Sequence, residues 1–300
     1  MSKIDPLVPR APININRPGD PNQLGKTEQP VVKSERQTDT QQLRDRISHW
    51  FAQAGVSPAR AAGLEQDGHK RIQRRRAVQQ QRRLQNLERV LELALEFCPT
   101  QGTEENLDAD WFFNFVQMAE DIYSPGMQEL WGKIFAAEIS HPGSFSLRSL
   151  TILRQLTQRD AKVLSLAVSL SSRKRGDYSP RILYGYYQKP TFMSLLTLRQ
   201  GQQLNLAQYG LTYPDLLALM DLGLIYNSEI ESGEMDTSIR TEWRCSGETL
   251  HLAARYKGSI LKYYKFTATG AELSRLVPGK PQPAYVAALR QLLSGAFEVS

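Results

Sequence analysis

Cysteine and histidine are scarce in this sequence of 300 residues, which holds two cysteines and four histidines. Cys98 and Cys245 lie far apart and match no metal-ligand spacing, so we interpret them as reduced thiols in a cytoplasmic protein. The histidines are scattered along the chain, at His49, His69, His141 and His251. None has a partner at metal-binding spacing. The sequence therefore predicts neither a disulfide framework nor a metal site, and it predicts no cofactor.

Catalytic and nucleotide-binding motifs are also missing. Gly279-Lys280 lacks the upstream glycine and the following serine or threonine of a P-loop, and the sequence has no dinucleotide-type glycine fingerprint and no H-E-x-x-H. The stretch Glu65-x-Asp67-x-His69-Lys70 combines carboxylates with a lysine, as a metal-dependent nuclease does. Nucleases usually hold such residues on strands, whereas this stretch is polar and helical, so we interpret it as a solvated helix edge. We expect a protein without enzymatic activity.

Long apolar runs are absent as well. No stretch approaches the roughly 18 apolar residues of a membrane span, and the N-terminus lacks the charged start and apolar run of a signal peptide. Residues 1–40 hold six prolines and few large apolar residues, which predicts a disordered tail. Ordered structure is expected from Gln41 onward. The first apolar residues there follow helical spacing, at Leu43, Ile47, Trp50 and Phe51.

Lysine and arginine give the sequence a net charge of +6 and a pI of about 9.3, which favours acidic partners. Seven cations form a basic run between residues 70 and 83 that contains no acid: Lys70, Arg71, Arg74, Arg75, Arg76, Arg82 and Arg83. One long helix from His69 to Cys98 fits this segment best. Its second half is expected to pack through one apolar stripe, formed by Leu84, Leu87, Leu91, Ala94 and Leu95.

Three interpretations of the basic run remain open. It can bind nucleic acid or the ribosome, helped by Arg173, Lys174 and Arg175. It can dock on an acidic protein, or on the chain's own residues 96–140, which hold nine acidic residues and one cation, Lys133. It can also be a solvated helix face.

Residues 101–172 predict a compact helical domain. Asp108, Ser124 and Ser146 precede apolar helical patterns as N-caps, and Thr157-x-x-Asp160 resembles a capping box.

One helix of this domain carries Trp131 and Glu138 on the same face. A carboxylate in an apolar stripe needs a partner, because an isolated buried charge is too costly. Arg148 is the nearest candidate. We interpret the three residues as a structural motif in which a Glu138–Arg148 pair fixes the bend at Pro142-Gly143.

Residues 173–300 mix helices and strands. The order of a helix, an L-G-L-I strand, further strands and an F-T-A-T-G-A-E-L helix is similar to winged-helix domains. The recognition helix of such a domain would carry Asp215 and Asp221, and residues 200–239 contain no lysine or arginine. A DNA-reading helix needs cations, so this face is expected to pack or to contact protein.

Two groups of residues carry a family resemblance. The pattern L-W-x-x-I-x-A-x-E…P-G-x-x-S runs from Leu130 to Ser146, and Leu222-Gly223-Leu224-Ile225 is accompanied by Thr267 and Gly270. Together they resemble an uncharacterised bacterial, gammaproteobacterial-type protein family of unknown function, in which a helical domain precedes a winged-helix-like end. That family has no assigned catalytic residues, and similar helical patterns occur in proteins suspected of phage-defence roles.

These patterns predict a mainly α protein with a disordered N-terminal tail. Basic and amphipathic helices are expected over 41–100, a helical domain over 101–172 and a winged-helix-like α+β domain over 173–300. The expected function is non-enzymatic interaction or regulation, in which the helical domain presents a fixed surface and the basic run attaches an acidic partner. The alternative is a nucleic-acid- or ribosome-associated factor acting in phage defence.

Overall fold

The structure is a computed structural model that describes residues 31–57, 68–100, 106–177, 179–189 and 201–300. The chain divides into two compact units, Met1–Arg76 and Ala77–Ser300. The α-helices of the described residues are α1 (Val31–Gln53), α2 (Gly68–Glu96), α3 (Ala109–Ala119), α4 (Pro125–Ser140), α5 (Leu147–Gln155), α6 (Gln158–Ser169), α7 (Tyr213–Asp221), α8 (Ala268–Ser274) and α9 (Pro283–Leu293). The strands are β1 (Ser172–Lys174), β2 (Arg181–Gln188), β3 (Gln202–Gln203), β4 (Ile230–Glu231), β5 (Arg240–Cys245), β6 (Glu248–Ala254), β7 (Ser259–Lys265) and β8 (Phe297–Val299).

Helix α1 in the first unit starts at Val31, earlier than the predicted onset at Gln41. The part of the predicted tail that covers residues 1–30 lies outside the described residues. The apolar side chains of α1 follow helical spacing but are exposed to between 56% and 67%, at Leu43, Ile47, Trp50 and Phe51.

The helices of the second unit start at the capping residues that the sequence indicates. Asp108 accepts a hydrogen bond from the N–H of Asp110 at 2.8 Å, and Thr157 and Asp160 form a reciprocal capping box at α6. Ser124 and Ser146 cap α4 and α5. These local bonds satisfy N–H groups that a helix start would otherwise leave unpaired. The helices enclose a buried aromatic and aliphatic core that includes Trp111, Phe115, Trp131, Ile134 and Leu150.

The predicted packing stripe of α2 is only partly right: Ala94 is buried and Leu87 packs against the core, but the other three leucines are not buried. Its buried residues are Asn86, Val90, Leu93 and Ala94, whereas Leu84, Leu91 and Leu95 are more than half exposed. Asn86 lies in this buried face because both ends of its side-chain amide are hydrogen-bonded. Its side-chain nitrogen donates to the carbonyl oxygen of Glu120 at 2.8 Å, and its oxygen accepts from Gln128 at 3.2 Å. The buried face of α2 thus includes a hydrogen-bonded polar residue that lies outside the predicted apolar stripe.

The predicted fold class, mainly α with a winged-helix-like end, is also wrong. The described residues after Ser171 build one eight-stranded antiparallel sheet in the order β4-β7-β2-β1-β5-β6-β8, with β3 paired to β2. A winged helix carries only a small β-hairpin, whereas here strands from both ends of residues 172–299 join one sheet. The sequence predicts strands over 240–244, 249–253 and 261–266, which correspond to β5, β6 and β7, and leaves 182–187, now β2, open between a strand and a short helix. It does not predict β1, β3, β4 and β8, which have two or three residues each. The predicted strand at Leu224-Ile225-Tyr226 is a single bridge between Ile225 and Phe266.

Helix α8 ties the sheet to the helical part of the second unit. Glu272 accepts hydrogen bonds from the backbone N–H of Ser146 at 2.7 Å and from the hydroxyl of Ser149 at 2.6 Å, so it caps α5 from a distant part of the chain. The preceding Gly270 lies so close to Leu224 that a Cβ atom there would fall 1.9 Å from the Leu224 carbonyl oxygen. This close approach explains why glycine follows three residues after Thr267.

Candidate anion-binding cavity

Two arginines lie directly opposite each other at the centre of the sheet. The antiparallel register of β1 and β5 pairs Arg173 with Arg244, and it pairs the adjacent Ser172 with Cys245. Ser172 and Cys245 are fully buried. Because side chains alternate along a strand, both arginines point to the other side of the sheet, where they are exposed. Like charges directly opposite in an antiparallel pair are destabilising.

Two further cations line a concavity of about 440 Å³ beside this pair. Arg275 follows the end of α8, and Lys280 lies in the loop before α9. We call the cavity lined by Arg173, Arg244, Arg275 and Lys280 the arginine cavity. Its described lining residues include serines and glycines but no aspartate or glutamate. No described carboxylate lies within salt-bridge distance of any of the four cations.

Hydrogen bonds to buried serines fix the wall of the arginine cavity. Arg173 donates from Nη2 to the hydroxyl oxygen of Ser274 at 3.3 Å, and the backbone N–H of Lys280 donates to the hydroxyl oxygen of Ser169 at 2.9 Å. Both serines are buried. The guanidinium of Arg275 lies over the ring of Phe145, 5.7 Å from its centroid. Two of the cations are therefore held by their side chains and a third by its backbone.

The three arginine charges repel one another in this arrangement. Partial loss of solvent lowers the pKa of the Arg173 guanidinium, and the positive charges of Arg275 and Arg244 lower it further. Arginine nevertheless stays protonated in proteins, so the effect is a cost in free energy and not a loss of charge. Helices α6 and α8 both end at the cavity. Their carbonyl ends contribute roughly half a negative charge each, which offsets about one of the four positive charges.

The chemistry offered by the arginine cavity is anion binding. Guanidinium groups bind phosphate or carboxylate oxygens bidentately. The described lining residues include no His, Asp, Glu or Cys that could accept a proton. The hydroxyls of Ser169 and Ser274 donate to backbone carbonyl oxygens at 2.8 and 2.7 Å, so their protons are already committed.

The predicted basic run is split between the two units. Lys70, Arg71, Arg74, Arg75 and Arg76 belong to the first unit, and Arg82 and Arg83 belong to the second.

Part of the run contacts residues 96–140, and part of it faces solvent. Arg83 donates to Asp121 at 3.2 Å, which is a single exposed ion pair with that acidic segment. The side chains of Arg71, Arg74, Arg75 and Arg76 are exposed.

The structure does not bring together the three cations that are predicted to assist the basic run. Arg173 lines the arginine cavity, whereas Lys174 lines a second cavity on the other side of β1. Arg175 forms a salt bridge with Glu242 at 2.9 Å.

Glu138 fixes the predicted bend, but through backbone groups and not through Arg148. The carboxylate is only 2% exposed and accepts from the N–H of Gly143 at 2.6 Å and of Phe145 at 2.9 Å. Arg148 is exposed and lines a separate cavity with Gly223. The proposed Glu138–Arg148 pair is thus replaced by two charge-assisted bonds to the loop itself.

The tryptophans of the helical part have structural surroundings. Trp131 is wholly buried and packs against Phe115 at a centroid distance of 5.1 Å. Trp111 donates from its indole nitrogen to the carbonyl oxygen of Phe145 at 2.7 Å. The loop after α4 is therefore held from both sides, by Glu138 and by Trp111.

The predicted recognition helix, α7, uses its acidic residues locally. Asp215 accepts from the backbone N–H of Thr212 at 3.1 Å and from its hydroxyl at 2.6 Å, so it caps the helix. Asp221 is exposed at the other end.

A tyrosine–glutamate cluster lies at another part of the sheet. Tyr264 donates to Glu229 at 3.2 Å and stacks on Tyr184, and Lys262 lies 3.4 Å from the same carboxylate. Burial, together with the charge of Glu229, raises the pKa of Tyr264 to about 12. The phenol is therefore neutral in the folded protein at physiological pH.

The structure describes only part of the nuclease-like stretch that the sequence contains. Glu65 and Asp67 of the nuclease-like stretch lie outside the described residues. Within the described ranges, no group of three or more His, Cys, Asp or Glu side chains is placed to hold a metal ion. None of the helices in those ranges is both long and apolar enough to cross a membrane.

Sequence reasoning missed three of the four cations of the arginine cavity as site residues. In the sequence, Arg244, Arg275 and Lys280 are only three of the eight Lys and Arg residues that lie between 240 and 280. The register of β1 against β5 places Arg244 beside Arg173, and no sequence signal marks β1 as a strand.

Comparison with known proteins gives a family but no activity. The sequence model of a family described as a protein of unknown function (DUF2806) matches residues 70–290, a range that contains the whole arginine cavity. No curated protein and no solved structure matches the chain.

Proposed function

The chain belongs to the DUF2806 family of proteins of unknown function, and we propose that it is a non-enzymatic interaction protein that binds nucleic acid through phosphate contacts. The observation that carries this proposal is the cross-strand pair of Arg173 and Arg244, joined by Arg275 and Lys280 without a described counter-charge. Such a concentration of like charge costs folding free energy. A bound polyanion neutralises these charges. The repulsion that destabilises the free protein is then relieved, which strengthens binding of the polyanion.

Phosphate suits this site better than the carboxylates of an acidic protein. Arginine forks match the tetrahedral oxygens of phosphate, and several cations converge on one concavity, where a single carboxylate neutralises only one of them. The exposed cations of α2 supply a further basic surface, at Arg71, Arg74, Arg75 and Arg76. An acidic protein is the competing partner.

Binding without catalysis follows from what surrounds the cations. The described lining residues offer no side chain that could act as a general base.

We place this function in the cytoplasm, which keeps thiols reduced, because Cys98 and Cys245 are both free.

We also propose that the L-W-x-x-I-x-A-x-E…P-G-x-x-S pattern is shared among gammaproteobacterial-type members of the family. Three of its positions have structural roles. Trp131 fills the core, Glu138 accepts the N–H groups of Gly143 and Phe145, and Ser146 caps α5. An alignment of family members in which these positions vary independently would remove this part of the proposal.

The test is a titration of the purified protein against a fluorescent 5′-hydroxyl oligoribonucleotide over a salt series. We expect binding whose affinity falls as salt rises, because cations released from phosphates drive it. The double substitution Arg173→Gln and Arg244→Gln should weaken binding and reduce the salt slope by about 1.4, since each lost phosphate contact on a single strand contributes about 0.7.

The matched control is Arg89→Gln, which removes an exposed arginine of α2 that pairs with Glu92 at 2.8 Å. It should leave both affinity and salt slope unchanged. Absence of RNA binding by the intact protein at low salt, or equal weakening by the control and the cavity variant, would contradict the proposal and favour an acidic protein partner.

A further inference from the structure

We propose that the arginine cavity binds clustered phosphoryl groups, meaning two or more joined phosphates such as a diphosphate or triphosphate. The proposal deepens the function above, since it names which part of a phosphate-bearing ligand the cavity takes. It depends on the size of the cavity, on its charge and on the side chains that are missing from its wall.

The size of the arginine cavity fits a compact ligand. Its volume of about 440 Å³ lies in the lower part of the range of about 300–1,000 Å³ that is typical of sites for one small molecule. A strand of nucleic acid that passes through carries one negative charge per nucleotide. It therefore brings only one or two charges into this volume.

One or two negative charges are too few to neutralise the cations of the arginine cavity. Four cations converge there, and the ends of α6 and α8 offset about one of them. Joined phosphoryl groups place about three or four negative charges in the same small volume, because a terminal phosphate alone carries about −1.5 to −2 at neutral pH. The charges then balance without any contribution from the first unit.

The wall also contains a hydroxyl that suits a phosphate oxygen. Ser246 lies in the tight turn between β5 and β6 with a positive φ of 48°, and Gly247 follows with a φ of 93°. The oxygen of Ser246 accepts from the backbone N–H of Gln282 at 2.7 Å, and its hydroxyl proton has no acceptor among the described residues. The turn thus presents a donor beside Arg244.

The described lining residues do not include an aromatic side chain. Proteins that recognise unpaired bases usually stack them on aromatic rings. The recognised part is therefore the phosphates and not the base. Two sources carry this chemistry: a free polyphosphorylated small molecule, and the 5′-triphosphate end of an RNA.

The test is isothermal titration calorimetry with inorganic tripolyphosphate, at constant ionic strength. Citrate is the comparison, because it carries a similar charge on carboxylates. We expect tripolyphosphate to bind at least tenfold more tightly than citrate. Arg244→Gln should weaken tripolyphosphate at least tenfold, whereas Arg290→Gln, which removes an arginine that pairs with Glu248 outside the cavity, should not change it.

Lys280→Gln provides a second variant in an exposed loop, should Arg244→Gln fail to fold. It should also weaken tripolyphosphate, with an unchanged circular dichroism spectrum. Equal affinity for citrate and tripolyphosphate, or unchanged binding in both cavity variants, would overturn the inference.

Two oligoribonucleotides of one sequence, one with a 5′-triphosphate and one with a 5′-hydroxyl, distinguish the two possible sources of the ligand. They also distinguish this inference from the proposed nucleic-acid function. Tighter binding of the 5′-triphosphate form than of the 5′-hydroxyl form supports an RNA end as ligand, and equal binding beside tight tripolyphosphate binding supports a free small molecule. Binding of 5′-hydroxyl RNA without binding of tripolyphosphate would overturn the inference and leave the nucleic-acid function standing. Failure of all three ligands would overturn both.

Discussion

The carboxylate of Glu138 accepts a hydrogen bond from the backbone N–H of Phe145 at 2.9 Å, across the bend that follows α4. Its other oxygen accepts from Gly143 at 2.6 Å. A buried charge is tolerated here because backbone donors pair with it, and no cation is needed. The bend that begins with Pro142-Gly143 is thereby fixed by a side chain from the preceding helix.

Glu138→Gln should destabilise the protein by about 1–3 kcal/mol, because one of the two N–H groups then faces an amide nitrogen and loses its acceptor. Urea unfolding followed by circular dichroism measures the change. Glu129→Gln is the matched control on the same helix. Glu129 is exposed and pairs with Lys133 at 2.6 Å, so its loss should cost about 0.5 kcal/mol or less. A neutral Glu138→Gln together with a destabilising Arg148→Gln would contradict the observed pairing.

Gly270→Ala should destabilise the protein by about 3 kcal/mol or abolish folding. The added Cβ would lie 1.9 Å from the carbonyl oxygen of Leu224, so α8 would have to move away from its neighbour. Gly126→Ala is the control, since nothing lies within 4 Å of a Cβ at that helical position. It should stabilise by about 0.4–1 kcal/mol through the unfolded state. Thermal unfolding of both variants measures the difference, and equal melting temperatures would contradict the close approach.

Stability should fall as pH rises from 10 to 12. The pKa of Tyr264 is about 12 in the folded protein and about 10 in an unfolded chain, so its contribution is fully present below pH 10. Above pH 10 the unfolded state ionises first, and the contribution is lost as the pH rises through 12. Tyr264→Phe should make this decline shallower, measured by urea unfolding at pH 9, 10 and 11. The exposed Tyr123 is the control, and an equal effect of Tyr123→Phe would count against burial as the cause.

The helical part of the fold is predictable because its signals are local. Asp108, Ser124, Ser146 and Thr157 each satisfy N–H groups within their own helix, so the information is contained in a few adjacent residues. The exception is α2, whose buried face depends on Asn86. Its partners, Glu120 and Gln128, lie more than 30 residues away, and an apolar count cannot anticipate them.

The sheet is less predictable because several of its strands are too short for a pattern. Strand β1 has three residues, Ser172-Arg173-Lys174, and its neighbours in sequence resemble a polar turn. Its position in the sheet is decided by pairing with β2, which follows it in the chain, and with β5, which is remote in sequence. Without strands as short as β1, the sequence pattern predicts only a small winged-helix end.

The arginine cavity is hard to predict from the sequence for the same reason. The sequence holds basic stretches around Arg173 and over 240–280. They contain no information about register, and the pairing of Arg173 with Arg244 is a property of register alone. A one-residue slip would turn one of the two arginines to the other side of the sheet.

The decisive measurement is the melting temperature of the intact protein and of Arg244→Gln, each with and without tripolyphosphate. Without the anion, we expect the variant to be as stable as the intact protein or more stable, by about 0.2–1 kcal/mol, because a like-charge contact is removed. With the anion at a hundredfold excess over its Kd, the intact protein should gain about 2.7 kcal/mol and the variant much less. A variant that melts lower without the anion, and gains as much stability with it as the intact protein does, would show that Arg244 is structural and that the cavity is not an anion site.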